Sequence, residues 1–96
     1  MDIARKHLKI QGKVQGVGFR QNAFILAQKL GVKGWVKNTF DGAVEITVEG
    51  EPTSVDLLVE WCHEGPMHSV VRSVTILESK TLAEAEFSVF SIQKTT

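Results

Sequence analysis

The sequence predicts an α+β domain in which an antiparallel sheet carries two helices on one face. In several short segments apolar residues alternate with polar ones, as they do in strands that bury one face. In two longer segments apolar residues recur at helical spacing. A length of 96 residues suffices for one small core, so we expect a single domain over residues 1–96.

The first half of the chain opens with a strand and a helix. Residues 5–11 form the predicted strand, because Leu8 and Ile10 face inward while His7, Lys9 and Gln11 face outward. A glycine-rich loop follows. A helix over about residues 21–30, ended by Gly31, is then indicated by the apolar positions Phe19, Ala23, Leu26, Ala27 and Leu30.

A hairpin and a second helix come next. Residues 35–39 and 43–49 are strand-like, and the dipeptide Asp41-Gly42 between them suits the positive φ of a tight turn. A helix over about residues 52–64 has Pro52 near its start and Gly65-Pro66 after its end. Its apolar stripe is Val55, Leu58, Val59 and Cys62. Residues 70–77 and 87–92 are further strands.

The resulting order is β-α-β-β-α-β with one extra short C-terminal strand, which is the ferredoxin-like sandwich. Right-handed crossovers would put both helices on one face of the sheet and leave the other face to solvent. Many functions use this fold, so it does not identify one. It does bring the loop after the first strand close to the hairpin.

Composition excludes several classes of protein. No apolar run approaches the length of a membrane span, and the N-terminal segment has no signal-peptide core, so we expect a cytoplasmic protein without a membrane partner. Cys62 is the only cysteine, which excludes an internal disulfide or a cysteine-built zinc site. It falls on the apolar stripe of the second helix and is therefore expected to be a core residue.

Charge is unevenly distributed along the chain although the formal net charge is zero. Residues 3–40 contain eight bases and no acid, whereas ten acids and three bases follow from Asp41 onward. This split suggests an anionic partner for the first half, with nucleic acid and a small phosphorylated ligand as candidates. The alternative is that the two halves interleave in the fold and their charges cancel locally.

The loop over residues 12–20 is the strongest functional signal. It leads from a strand through Gly16 and Gly18 to Arg20 at the start of a helix. Backbone N–H groups turned inward by such a loop form an anion-binding nest, and the helix N-terminus adds partial positive charge. Arg20 supplies a planar fork that matches phosphoryl oxygens. The segment is neither a P-loop nor a dinucleotide fingerprint. The alternative interpretation is a strand-to-helix turn that uses glycine only for backbone room.

Two segments resemble the signatures of the acylphosphatase family. Ile10-Gln-Gly-Lys-Val-Gln-Gly-Val-Gly-Phe-Arg20 is similar to the N-terminal signature, and Gly34-Trp-Val-Lys-Asn38-Thr-Phe-Asp-Gly42-Ala-Val44 with Gly50 is similar to the second. The segment from Gly65-Pro66 through Ser69, Val71 and Val74 also fits, so the resemblance covers essentially the whole chain. Two motifs in the right order and on the expected fold make this a specific match.

The resemblance implies an enzyme that hydrolyses the carboxyl–phosphate bond of acyl phosphates. By that match Arg20 and the backbone amides of Gln15, Gly16, Val17, Gly18 and Phe19 hold the phosphoryl group. Asn38 orients the attacking water. No metal or cofactor is expected, inorganic phosphate or sulfate should inhibit, and a monomer is expected. Few residues beyond the phosphate site look suited to recognise an acyl group, so we expect loose selectivity among acyl phosphates.

Several alternatives remain at the level of single residues. Asn38 could be only a backbone cap before a turn. Gly18 occupies a position that varies in the family, so an incidental glycine is expected there. Trp35, Phe19 and Phe24 are expected to pack in or at the edge of the core. No catalytic role is expected for the histidines, His7, His63 and His68.

Two departures from the family pattern concern the surroundings of the site. Gln21 and Asn22 after the arginine are more polar than is usual, and the chain ends in Gln93-Lys94-Thr-Thr96 rather than with an aromatic residue. They leave open how tightly the C-terminal edge packs near the site.

Two other functions remain as alternatives to the enzyme. One is a non-catalytic anion-binding domain that retains the loop. The other is an RNA-binding module, which needs exposed aromatic residues on the central strands to stack bases. The first strand instead exposes His7, Lys9 and Gln11. The third exposes Ala43, Glu45, Thr47 and Glu49. We therefore expect no nucleic-acid partner.

Overall fold

The computed structural model describes residues 2–96 and has the predicted ferredoxin-like architecture. The elements are β1 (Ile3–Lys13), α1 (Phe19–Leu30), β2 (Lys33–Asn38), β3 (Val44–Gly50), α2 (Pro52–Glu64), β4 (Val70–Leu82) and β5 (Phe90–Ile92). Every predicted helix and strand is present. The largest differences in bounds are in β4, which extends beyond residue 77, and in β5, which begins only at Phe90.

The polar residues at the end of β4 remain in the sheet because β4 is an edge strand. They pair with the first residues of β1, from Ile3↔Leu82 to His7↔Glu78, after a register shift between His7 and Leu8. Backbone pairing with one neighbour does not require a buried side chain, and both faces of an edge strand tolerate polar residues. The polar composition of this segment therefore did not predict where the strand ends.

The sheet has the order β4-β1-β3-β2-β5. Its first four strands pair antiparallel, and the extra strand β5 pairs parallel with β2 from Gly34↔Phe90 to Val36↔Ile92. Val44 of β3 pairs with Ile10 of β1 on one side and with Asn38 of β2 on the other. The C-terminal ends of β1 and β2 therefore lie at the same end of the sheet, as predicted.

The core lies between the sheet and the two helices. The fully buried strand residues Leu8, Ile10, Val36, Val44, Ile46 and Val48 pack against Phe19, Ala23, Ala27, Val55, Leu58 and Cys62 from the helices. The expected core positions of Phe19, Phe24 and Cys62 are confirmed, and Phe24 packs against Phe90 with ring centroids 6.4 Å apart. Apolar packing over this one face is what fixes α1 against the sheet.

The face of the sheet opposite the helices is partly covered, and three expectations about it are wrong. Thr47 and Glu49, expected to be exposed, are 2% and 0% exposed. The backbone N–H groups of Glu86 and Phe87 donate to Oε1 of Glu49 at 2.8 and 3.0 Å, because residues 83–89 run from β4 to β5 across this end. Ala43, also expected to be exposed, is buried as well.

Trp35 also lies on this covered face and not in the core. It pairs with Thr47, its ring is 5.5 Å from that of His7 in an edge-to-face arrangement, and Nζ of Lys37 lies 5.3 Å from its centroid. The period of a strand places neighbouring residues on opposite faces, and Val36 is the one that enters the core. The expected core packing of Trp35 is therefore wrong.

The charges of the two halves of the chain cancel locally across much of the fold. Lys9 pairs with Asp41 at 2.7 Å, Lys6 with Asp56 at 3.2 Å, and Arg5 contacts Glu49, Glu78 and Glu86. Interleaving of the strands brings these groups together, since β1 lies between β3 and β4. Arg5, Lys6 and Lys9 of β1 are thus each paired with an acid. Within residues 2–96, neither helix has the length and apolar content needed to cross a membrane.

Candidate active site

The loop between β1 and α1 alternates the sign of its φ angles, as an anion-binding nest does. Gly16 and Gly18 have φ values of 73° and 78°, whereas Val17 between them has a negative φ. Alternation of left-handed and right-handed residues turns successive N–H groups toward the same side. Such a row of N–H groups is what the proposed phosphate site requires of this loop.

Gly18 is also the N-cap of α1, which makes its predicted incidental role wrong. Its φ and ψ of 78° and 22° are left-handed, a conformation in which any other residue would be strained. No side chain caps this helix end, and the first turn of α1 contains no acid. The first N–H groups of the helix are thus free of a competing side-chain acceptor and can bind an external anion.

Asn22, one of the unusually polar residues after Arg20, supports this helix start. Its Nδ2 donates to the carbonyl oxygen of Gly18 at 2.8 Å, and its backbone N–H donates to the same oxygen at 3.0 Å. The polarity of Asn22 therefore serves the local structure of the loop.

A cavity of about 280 Å³ lies in front of this loop. Among the predicted site residues Gly16, Gly18, Phe19, Arg20 and Asn38 line it. Gln15 and Val17 do not. The sheet register explains the convergence, because Asn38 at the end of β2 lies two strands from Ile10 at the end of β1. Residues far apart in sequence thus share one concave site.

Asn38 lines this cavity, and its side-chain carbonyl oxygen is buried. The residue is 9% exposed, and its Oδ1 has no hydrogen-bond partner among residues 2–96. No cap of the backbone by this side chain is seen, so the capping interpretation lacks its hydrogen bond. A buried acceptor without a partner costs about 1–3 kcal/mol. Retention of an unpartnered acceptor in a residue that lines a cavity is typical of a group that binds a ligand or water.

Arg20 provides the positive charge of the cavity. It lies in the first turn of α1 and is partly buried. Within residues 2–96 no acid lies within 4.0 Å of its guanidinium, and none of the residues that line the cavity is acidic. The field of Arg20 is therefore not cancelled by a protein carboxylate, in contrast to that of Arg5 and Lys9.

Gln15 joins the nest to the hairpin that carries Asn38. Its Nε2 donates to the carbonyl oxygens of Thr39 and Ala43, both at 2.8 Å. The side chain of Gln15 is therefore turned away from the cavity and toward the turn. The sequence indicates only a backbone role for Gln15, because nothing in the local pattern shows which distant carbonyls its amide reaches.

The hairpin turn is held by a second set of hydrogen bonds. Lys9 Nζ donates to Asp41 at 2.7 Å, Thr39 Oγ1 donates to the same carboxylate, and the N–H of Ala43 donates to Thr39 Oγ1 at 3.1 Å. The hydrogen bond from Lys9, followed by that from Thr39, lowers the pKa of Asp41 to about 2. The same hydrogen bond raises the pKa of Lys9 above its ordinary value. These groups brace the turn next to Asn38.

Three further residues line the cavity and were not predicted from the sequence: Val14, Gln21 and Ile92. Val14 and Gln21 flank the predicted loop, so proximity in sequence could have suggested them. Ile92 arrives from β5, and only the parallel pairing of β5 with β2 brings it to the site.

The remaining reactive side chains lie away from the cavity. His7 Nε2 is 2.8 Å from Oε1 of Glu45, His63 Nδ1 is 3.1 Å from the carbonyl oxygen of Val59, and His68 is in an exposed turn. Burial raises the pKa of the Cys62 thiol to about 12, so it is not an activated nucleophile. Residues 2–96 contain no cluster of three or more His, Cys, Asp or Glu side chains that could hold a metal ion.

Comparisons with known proteins identify close relatives. The acylphosphatase family model matches residues 6–92. An acylphosphatase of Roseiflexus sp. is 47% identical over 90 residues, which span 93% of this chain and 97% of that protein. The structure of an acylphosphatase from Coxiella burnetii has a TM-score of 0.83 at 35% identity and covers 96% of this chain and 94% of its own. That of acylphosphatase from Bacillus subtilis also has a TM-score of 0.83, at 34% identity, covering 94% and 98% respectively.

Proposed function

The chain belongs to the acylphosphatase family, and from this premise we propose how its residues carry out the reaction. The protein is a hydrolase that cleaves the carboxyl–phosphate bond of acyl phosphates to a carboxylate and inorganic phosphate. The proposal concerns which groups bind the phosphoryl group and which position the water.

The phosphoryl group binds in the nest and against Arg20. The backbone N–H groups of residues 15–19 donate to its oxygens, with the uncapped N-terminus of α1 behind them. Arg20 makes a bidentate contact to two further oxygens. The left-handed φ values of Gly16 and Gly18 and the lack of a first-turn acid support this assignment. Such fixed donors need no reorganisation when negative charge develops in the transition state.

The attacking water is held by the side-chain carbonyl of Asn38. The oxygen of this water attacks phosphorus while the bond from phosphorus to the carboxyl oxygen breaks. The carboxylate leaves with the electron pair. The water's protons pass to phosphoryl oxygens and to solvent. A carboxylate is a stable leaving group and needs no protonation, so no general acid is required. This agrees with the absence of His, Asp and Glu from the cavity lining within residues 2–96.

The unpartnered, buried Oδ1 of Asn38, a residue that lines the same cavity as Gly16, Gly18 and Arg20, is the single observation that carries this proposal. The experiment is a turnover assay of the pure protein on a panel of acyl phosphates, including acetyl and benzoyl phosphate. p-Nitrophenyl phosphate, which has a poorer leaving group, serves as the control. We expect turnover of the acyl phosphates and little of the control. Phosphate binding without turnover of any acyl phosphate would instead indicate a non-catalytic anion-binding domain.

The remaining features of the function are proposals of the same kind. Catalysis requires no metal or cofactor, since Arg20 and the nest neutralise the phosphoryl charge. Inorganic phosphate and sulfate inhibit by occupying the same donors. The protein acts as a single domain over residues 1–96, as a cytoplasmic monomer without nucleic-acid or membrane partners. Pairing of the β1 bases with acids supports the lack of a nucleic-acid partner. Sedimentation and nucleic-acid binding measurements test these points.

A further inference from the structure

Ile92 is the exposed apolar side chain of the cavity wall. It ends β5, lies beside Val36 of β2 and is 43% exposed. The other two large apolar residues of the wall, Val14 and Phe19, are 1% and 2% exposed and already packed in the core. Ile92 is therefore the apolar residue of the wall with substantial surface left for a ligand to cover.

The cavity is larger than a phosphoryl group needs. A water molecule takes about 30 Å³ of liquid volume, so a group of five heavy atoms fills only part of about 280 Å³. The nest and Arg20 lie on the β1–α1 side of the site, whereas Ile92 comes from β5, beyond β2. A bound acyl phosphate thus has polar donors for its phosphoryl end and an apolar surface within the same cavity.

We propose that Ile92 contacts the acyl group and makes the enzyme prefer acyl phosphates with a bulky apolar acyl group, such as an aromatic one, over acetyl phosphate. This inference rests on the proposed phosphate site and adds the substrate class to it. It replaces the expectation of loose selectivity. Covering an exposed apolar side chain with an apolar group removes both from water, and acetyl phosphate offers only a methyl group for this.

The chain provides a matched control for this role. Ile25 of α1 is 52% exposed, similar to Ile92, but does not line the cavity. Truncation of Ile25 thus removes the same atoms from the surface without changing the site. Ile92→Ala removes the proposed contact, and Ile92→Thr keeps the β-branched shape that suits a strand while making the surface polar.

The experiment compares kcat/KM for benzoyl phosphate and for acetyl phosphate in the wild type and in the three variants. We expect the benzoyl-to-acetyl ratio to exceed one in the wild type and to fall about 10-fold in Ile92→Ala and Ile92→Thr, with no change in Ile25→Ala. Calorimetry with phenylphosphonate and methylphosphonate gives a second readout that needs no turnover. The phenyl compound should lose about 10-fold more affinity than the methyl compound in the Ile92 variants.

Each outcome decides the proposal. An unchanged ratio in folded Ile92 variants, or an equal fall in Ile25→Ala, would overturn the role of Ile92 while leaving the phosphate site intact. If the wild type hydrolyses neither substrate, the proposed function fails and the inference fails with it. If an Ile92 variant does not fold, the other variant decides. If neither folds, a wild-type protein that binds phenylphosphonate no better than methylphosphonate overturns the proposal.

Discussion

The side-chain amide of Gln15 lies 2.8 Å from the carbonyl oxygen of Thr39, the residue that follows Asn38. A second hydrogen bond of the same length reaches the carbonyl oxygen of Ala43 across the turn. The loop before α1 is therefore hydrogen-bonded to the hairpin that carries Asn38. In the proposed mechanism these two elements bind the phosphoryl group and the water respectively, so their separation sets the attack geometry.

Replacement of Arg20 should abolish both turnover and phosphate inhibition. Arg20→Lys keeps the charge but loses the planar fork, and loss of a preorganised charge-assisted contact costs on the order of 3–4 kcal/mol of barrier. The measurement is steady-state kinetics with phosphate as inhibitor. Arg72→Lys is the matched control, because Arg72 is exposed and does not line the cavity. Near-normal kinetics in folded Arg20→Lys would contradict the assignment.

Removal of metal ions should leave activity unchanged. The proposed site neutralises the phosphoryl dianion with Arg20 and backbone donors, so no cation is required. Activity is measured before and after exhaustive EDTA treatment, and inhibition by phosphate is expected to be competitive. Loss of turnover after chelation, with recovery on addition of a divalent ion, would show that the mechanism is incomplete.

Replacement of Asn38 should affect chemistry far more than binding. Asn38→Ala removes the carbonyl that positions the water, so kcat should collapse while the phosphate affinity stays near that of the wild type. Because the side-chain carbonyl has no protein partner within residues 2–96, the free energy of unfolding should not fall by more than about 1 kcal/mol. Turnover, calorimetry with phosphate and thermal unfolding are measured on the same preparation. A retained kcat with a sharp loss of stability would favour the capping interpretation.

Replacement of Gln15 should misplace Asn38 relative to the nest. Gln15→Ala removes the donor to two carbonyl oxygens, so we expect a loss of about 1–3 kcal/mol in the free energy of unfolding. We also expect a lower kcat at nearly unchanged phosphate affinity, because the nest itself is backbone. Gln28→Ala is the control, since Gln28 is exposed on α1 and outside the cavity. A loss of stability without any change in kcat would show that Gln15 stabilises the fold but does not position Asn38.

The bond between Lys9 and Asp41 should make stability depend on pH at both extremes. The pKa of Asp41 is lowered to about 2 from 3.8, so its stabilising contribution is present above pH 3.8 and is lost as the pH falls through about 2. The pKa of Lys9 is raised from 10.5, so its contribution is present below pH 10.5 and is lost as the pH rises through the folded value.

A double-mutant cycle with Lys9→Met and Asp41→Asn measures this coupling. Thermal or urea unfolding at pH 6 and at pH 2 gives the coupling free energy under each condition. We expect a favourable coupling at pH 6 that weakens at pH 2. An equal coupling at the two values would mean that the carboxylate charge is not what braces the turn.

Local sequence was sufficient to predict the helices, the hairpin and the left-handed glycines of the loop after β1. The spacing of apolar residues identifies α1 and α2, since one face of each must be buried against the sheet. The left-handed φ values of Gly16 and Gly18 belong to single residues, so glycine at these positions predicts the shape of the loop. The resemblance to the acylphosphatase family predicted that Arg20 and Asn38 share a site, and both residues line the cavity.

Other features depend on which segments pair at long range, and no local pattern reports that. Glu49 and Thr47 alternate as exposed residues would, but both are buried. Glu49 accepts hydrogen bonds from the backbone of Glu86 and Phe87, which lie far along the chain. Trp35 leaves the core because the strand register assigns Val36 to it. Gln15 contacts Thr39 only because the loop packs on the hairpin. Ile92 lines the cavity only because β5 pairs parallel with β2. Sequence periodicity specifies the face on which a side chain lies, whereas its neighbours on that face are set by tertiary pairing.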